Sequence, residues 1–310
     1  MVTLDLTRSV HFAATLLLEG GVVFRFVVLA PGWGAGAALC ATMRGFLRPA
    51  LIALWVAAVL SGVAWVFLLA GEIAGAPPLA ALRQGVDWIL LTQTQFGEMW
   101  LLRGVMAPLV IVTLLIAGRA NAAHKRSGGL AIISVLLFAG SLAWSGHGAA
   151  TPGALGDLHL GADFAHLIAA GLWLGGLLPF GVLLWTVRHA PANGEAASTA
   201  TRRFAYVALG SVLVVLASGI INAWVLVGGI AALIHTLYGR LLLAKIGLFL
   251  LMVAFASVNR LHLTPNIGRS GPAGARAAER LAIHSGCELA LGLAILAIIG
   301  VLGMLPPPGH

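Results

Sequence analysis

The sequence predicts an all-α, polytopic membrane helix bundle with eight transmembrane helices and both termini outside. Three observations carry this. Of 310 residues, 60% are hydrophobic and only 9% charged, against about 25% charged in soluble domains. The apolar residues fall into eight runs, each near the ~20 residues that cross a hydrocarbon core of about 30 Å. The basic residues crowd one side of those runs: twelve lie in four alternate loops (Arg44, Arg48; Arg119, Lys125, Arg126; Arg188, Arg202, Arg203; Arg260, Arg269, Arg276, Arg280), and only Arg8, Arg83 and Arg240 lie opposite. Positive loops stay in the cytoplasm. The net charge of +8 is therefore topological, and its dispersal over four loops argues against a nucleic-acid or phosphate patch.

In chain order, the first span is expected at about 10–31. Its length exceeds a signal-peptide core, and Asp5 and Arg8 precede it rather than a basic cluster, so it should stay in the mature protein. The second and third are expected at about 47–70 and 98–118, separated by a stretch with Pro77, Pro78 and Trp88 that suits an interfacial helix on the outer surface. The fourth is expected at about 129–146 and the fifth at about 158–187, long enough to tilt or project. The sixth, seventh and eighth are expected at about 204–228, 240–259 and 281–304, with a flexible Gly/Ala-rich connection over 266–280. The chain reads as one integral membrane domain, 1–310, with no internal repeat. Cys40 and Cys287 form no C-x-x-C and indicate no disulfide framework.

The segment SGHGAATPGALGDLHLGADFAHLIAAGLWLGG runs from a polar loop into the fifth span. At 3.6 residues per turn His159, Asp163 and His166 fall within about 60° on one helix face, and Trp173 continues it. Ionisable groups inside a bilayer are costly and mark an ion path, a cofactor site or a structural polar network. Two imidazoles and a carboxylate suit a transition metal, and paired histidines suit a haem iron. With N-out topology, His147, His159, His235 and His11 all fall in the outer half, and His166 lies roughly 13 Å below the outer end of its helix. His284, Cys287 and Glu288, at i, i+3 and i+4 in the last span, lie nearer the cytoplasm and offer an exit site or a plain polar network. Met99 and Met106 share a face with Arg103, as ligands for Cu(I) or as core. Glu19, near mid-membrane, is expected to pair with Arg25, Arg103 or Lys245. Phosphate loops, G-x-S-x-G elbows and H-E-x-x-H are absent from the sequence, which argues against an enzyme or an ATP-driven pump.

Five motifs resemble the copper resistance protein D family of bacterial inner-membrane proteins. They are T-x-F-G-x-x-W-x-x-R (Thr94 to Arg103), G-H (Gly146, His147), D-x-x-H with W-x-G-G (Asp163, His166, Trp173, Gly175, Gly176), S-G-x-x-N (Ser218, Gly219, Asn222) and T-x-Y-G-R-x-L-x-x-K (Thr236 to Lys245), covering about 94–260. The resemblance implies copper handling across the inner membrane, with a separate periplasmic carrier of the CopC type as partner, and leaves direction and oxidation state, Cu(I) or Cu(II), open. The expected function is passage of copper from periplasm to cytoplasm. His147, His159 and His235 or His11 would collect the ion, Asp163 and His166 would hold it deeper, and His284, Cys287 and Glu288 would release it. The alternatives are export in the opposite direction and a haem-binding electron carrier, which the scarcity of intramembrane histidines disfavours.

The charge asymmetry yields a direct test: reporter fusions after His310 should be active only in the periplasm. Activity confined to the cytoplasm would invert the topology.

Overall fold

The computed structural model describes residues 2–29, 36–119, 124–146, 151–189, 194–267 and 272–308. These are almost wholly helical, with no strand among them. In chain order the helices are α1 (Val2–Val23), α2 (Ala37–Ala74), α3 (Pro78–Arg83), α4 (Val86–Gln93), α5 (Gln95–Arg119), α6 (His124–Gly140), α7 (Gly153–His189), α8 (Gly194–Val227), α9 (Ile230–His235), α10 (Leu237–Val258) and α11 (Pro272–Leu302). Eight are long and apolar enough to cross a membrane.

Several run past their expected limits, because a buried stripe continues after the apolar run ends. α2 starts ten residues early, burying Leu39, Met43, Leu47 and Leu51 at four-residue spacing. α1 starts eight residues early and buries Leu4, Arg8 and His11. α11 starts at Pro272, a residue suited to a first helical turn, so most of the expected flexible connection is helix. The stretch between α2 and α5 forms two short helices rather than one, with Trp88 exposed on α4.

Neighbouring spans run antiparallel, as side-chain pairs show: His11 with Ser61 and Gly21 beside Leu51 join α1 to α2, and Phe96 beside Trp65 with Trp55 bonded to Ala107 joins α2 to α5. Thr113 with Ser134 joins α5 to α6, and Phe180 beside Phe204 with His166 bonded to Ser218 joins α7 to α8. The end of α11 returns to the start of α1, where Arg8 donates to the Gly303 carbonyl at 3.0 Å. α7 is the hub, packed against α1, α8 and α11.

Contrary to the expectation of no repeat, the chain carries the same four-helix unit twice. His11 to Gly21 (HFAATLLLEGG) matches His166 to Gly176 (HLIAAGLWLGG), Ser61–Gly62 matches Ser218–Gly219, and Thr94-x-Phe96-Gly97 matches Thr236-x-Tyr238-Gly239. The structure gives matched residues matched roles. His11 bonds Ser61 and His166 bonds Ser218; Thr94 Oγ1 accepts from Gly97 N at 3.0 Å to start α5, and Thr236 Oγ1 accepts from Gly239 N at 2.9 Å to start α10. Across the halves, Gly140 of α6 abuts Phe164 of α7 as Gly300 of α11 abuts Ser9 of α1. The two units are α1, α2, α5, α6 and α7, α8, α10, α11. An even number of spans per unit sets both in the same direction, the parallel type of internal repeat. The likeness rests on short polar and glycine positions scattered among interchangeable apolar residues, which is why it is faint along the sequence.

The units meet where α1 crosses α7. A Cβ on Gly20 would strike the backbone of Gly171, Gly175 and Gly176, and one on Gly175 would strike Leu16 and Gly20. Small residues allow such close helix approach in membranes. Gly175→Ala should therefore lower stability by about 1–3 kcal/mol, whereas Gly181→Ala, on the same helix with open space around its Cα, should be neutral or mildly stabilising. Thermal unfolding of the detergent-purified protein reads both.

Candidate functional site

The repeated unit builds an imidazole, a serine and a cation into each half, with different outcomes. In the first half His11 is 1% exposed. Its Nδ1 lies 2.9 Å from the Ala58 carbonyl and 3.1 Å from Ser61 Oγ, and Arg103 donates to its Nε2 at 2.8 Å. Arginine is a donor only, so Nε2 is the acceptor and Nδ1–H points to Ala58. Arg103 also donates to the Phe138 carbonyl at 2.5 Å and to Ser141 Oγ at 2.6 Å. Trp65 and Trp100 close over the imidazole with ring centroids at 5.7 and 5.2 Å. Both ring nitrogens of His11 are engaged. In this arrangement neither nitrogen is left over for the ion that His11 was expected to collect.

In the second half the same positions surround a cavity of about 360 Å³. His166 Nδ1 lies 3.0 Å from Ser218 Oγ and also bonds the Val215 carbonyl, the counterpart of Ala58. The single Ser218 hydrogen goes to the Val214 carbonyl at 2.6 Å, so His166 Nδ1–H is the donor and Nε2 keeps its lone pair. Among the described residues nothing bonds that nitrogen. Where the first half has Trp65, Trp100, Phe96 and Arg103, the second has Asn222, Leu242, Tyr238 and Lys245. Replacing two indoles by an amide and a leucine opens the space.

Asp163 accepts from Asn222 Nδ2 at 3.3 Å and lies within electrostatic range of Lys245. His159 is buried, with Thr151 Oγ1 at 3.0 Å from its Nδ1. Arg8, His159, Asp163, His166 and Lys245 all line the cavity, whose floor is Trp173, Phe249 and Met252. Trp173 also lines a second cavity of about 140 Å³ on its far side, together with Asn259, Arg260, Ser285 and Glu288. There Trp173 Nε1–H donates to Glu288 Oε2 at 3.2 Å, Asn259 Nδ2 donates to Glu288 Oε1 at 2.6 Å, and His284 Nδ1 donates to Asn259 Oδ1 at 2.8 Å.

Other expected residues lie elsewhere. His147 falls outside the described residues. His235 is exposed on α9, and neither it nor Met99 or Met106 lines the cavity. Among the described residues no three His, Cys, Asp or Glu side chains converge closely enough to hold a metal ion. His284, Cys287 and Glu288 therefore make no ready three-ligand cluster: the first and last meet through Asn259, and Cys287 takes no part in that chain of bonds. Nor do His159, Asp163 and His166 form one, since seven residues of helix spread them over about 10 Å. Glu19 is not paired with a cation either; it is fully buried against Gly171, its oxygens without hydrogen bonds among the described residues. Sequence reasoning missed Met252 and Asn259, which stand out only once the helices are in register. Lys245 and Asn222 had a signal, as the counterparts of Arg103 and Trp65.

Comparison with known proteins agrees with this architecture. The family pattern described as copper resistance protein D-like, N-terminal domain, matches residues 1–157, and that of copper resistance protein D matches 198–302. Copper resistance protein D of Pseudomonas syringae pv. tomato is 32% identical over 269 residues, covering 84% of each chain. Inner membrane protein YebZ of Escherichia coli (strain K12) is 34% identical, over 71% of this chain and 72% of its own. Copper transport protein CutJ of Bacillus subtilis (strain 168) is 30% identical over 74% of this chain but 40% of its own length. No solved structure matches. The chain belongs to the copper resistance protein D family.

The contrast between the two histidines is testable. His11→Ala deprives Arg103 of its acceptor and should cost about 1.5–3 kcal/mol of stability, leaving copper affinity per folded molecule within about twofold by chelator competition. A tenfold loss of affinity would return His11 to the ion path.

Proposed function

We propose that this protein carries copper from the periplasm to the cytoplasm across the bacterial inner membrane, with the second-half cavity as its ion site. The observation that supports this reading most is the free Nε2 lone pair of His166, facing a cavity that Asp163 and His159 also line. Imidazole nitrogen and carboxylate oxygen are donors copper accepts in either oxidation state. A fixed negative charge offsets part of the cost of dehydrating the ion. His159 and His147, with the exposed His235, serve as collectors at the outer mouth. A separate periplasmic carrier of the CopC type delivers the ion there. Copper is cargo here and not a resident cofactor, and no catalysis is assigned.

Below the first site the path passes Trp173 and reaches the second cavity, where Glu288 receives the ion and His284 and Cys287 assist its release. Conduction needs sites strong enough to enter and weak enough to leave. Two sites on either side of an indole, each short of a full ligand set, meet that need better than one closed cage. More collectors outside than inside support inward transport.

His166→Ala should weaken copper binding by at least tenfold, about 1.4 kcal/mol, in chelator competition. In liposomes of known orientation, wild-type protein should admit copper from the periplasmic face and the variant should not. Unchanged affinity in His166→Ala would move the site elsewhere, and flux only from the cytoplasmic face would reverse the direction.

A further inference from the structure

The two halves of the chain present one device in two states. In the first, a cation borne on α5 rests on the imidazole: Arg103 Nη2 is 2.8 Å from His11 Nε2. In the second, the cation at the matching position of α10 is Lys245, ten residues into its Thr-x-Tyr-Gly motif as Arg103 is into Thr-x-Phe-Gly. Lys245 lines the same cavity as His166 and interacts electrostatically with both His166 and Asp163, yet among the described residues it makes no hydrogen bond and no ion pair. Its ammonium is thus a tethered cation in the cavity, within electrostatic range of the imidazole whose counterpart Arg103 bonds in the other half.

We propose that Lys245 is a built-in competitor for copper: its ammonium exchanges between the unbonded position of this structure and a place beside His166 Nε2 and Asp163, which it contests with the ion. The inference rests on the reading of His166 and Asp163 as copper donors.

The choice of residue fits the role. Arginine has a planar fork that bonds several acceptors at once, and Arg103 uses it to hold Phe138, Ser141 and His11 together. Lysine offers a compact charge on a flexible four-carbon stem, able to withdraw without breaking a network. The surroundings differ in the same sense. Trp65 and Trp100 wall in the first device, while in the second a cavity lined by Leu242, at the position of Trp100, adjoins Lys245. A ligand pair with an internal cation at hand binds copper less tightly than the bare donors would, and it never leaves Asp163 without a counter-charge. That is the property a conduit needs at its midpoint.

The test is copper affinity of the purified full chain by chelator competition, in whichever oxidation state the wild type binds more tightly. Lys245→Met should bind copper at least fivefold more tightly than wild type. Lys245→Arg, which recreates the locked device, should bind at least tenfold more weakly. In Lys245→Ala, added methylammonium should compete with copper and restore a wild-type-like affinity, which a purely structural lysine would not permit. Equal or weaker binding in Lys245→Met overturns the proposal, and should that variant fail to fold, equal affinity of Lys245→Arg and wild type overturns it instead. If His166→Ala binds copper as well as wild type, the underlying assignment of the site fails, a result separable from the lysine variants.

Discussion

The contact between α1 and α7 at Gly20 and Gly175 governs the rest of the structure. These are matched residues of the two halves, and each leaves no room for a Cβ on the other. Because backbone meets backbone there, the two leading helices are held in one register, and every side chain above and below inherits its depth from that point. His11 and His166 stand equally far along their helices from the crossing, and each reaches a serine of the next helix at about the same distance, 3.1 and 3.0 Å. In lipid no hydrophobic force drives helices together, so close van der Waals approach of this kind supplies the association.

Upon that shared frame the halves have diverged by a simple physical rule. A polar side chain inside a membrane must be satisfied by protein or be kept for use. Around His11 the first half satisfies its groups: guanidinium, imidazole, serine and a main-chain carbonyl bond one another, and two indoles close over the imidazole. Among the described residues, the second half leaves an imidazole nitrogen and an ammonium unbonded beside a cavity. On the proposed reading one unit is scaffold and the other is site.

Trp173 divides the second half by depth. Its ring is the floor of one cavity and a wall of the other, tied to Glu288 through its N–H and set edge-on to Phe249 at 6.1 Å between centroids. The ring thus holds a double position, facing both cavities. Gly175 and Gly176, two and three residues on, do serve packing, against α1 and against Phe204. Neighbouring residues of one motif thus perform separate tasks on separate faces of the helix.

The number of spans, the membrane environment and the stripe His159, Asp163, His166 and Trp173 were legible in the sequence, because hydropathy, charge asymmetry and helical period act locally along the chain. Helix ends were legible only to within about ten residues, since burial in the bundle prolongs helices beyond the apolar run. What the tertiary structure alone decided is which ionisable groups are spent and which are free. A histidine at the top of the first span and one in the fifth look alike in sequence, and both belong to the same repeated motif. Only the packing of distant helices shows that Arg103 covers one and that Asn222 and Leu242 uncover the other. The reason is that satisfaction of a buried polar group depends on partners from other helices, dozens of residues away, which no local pattern specifies.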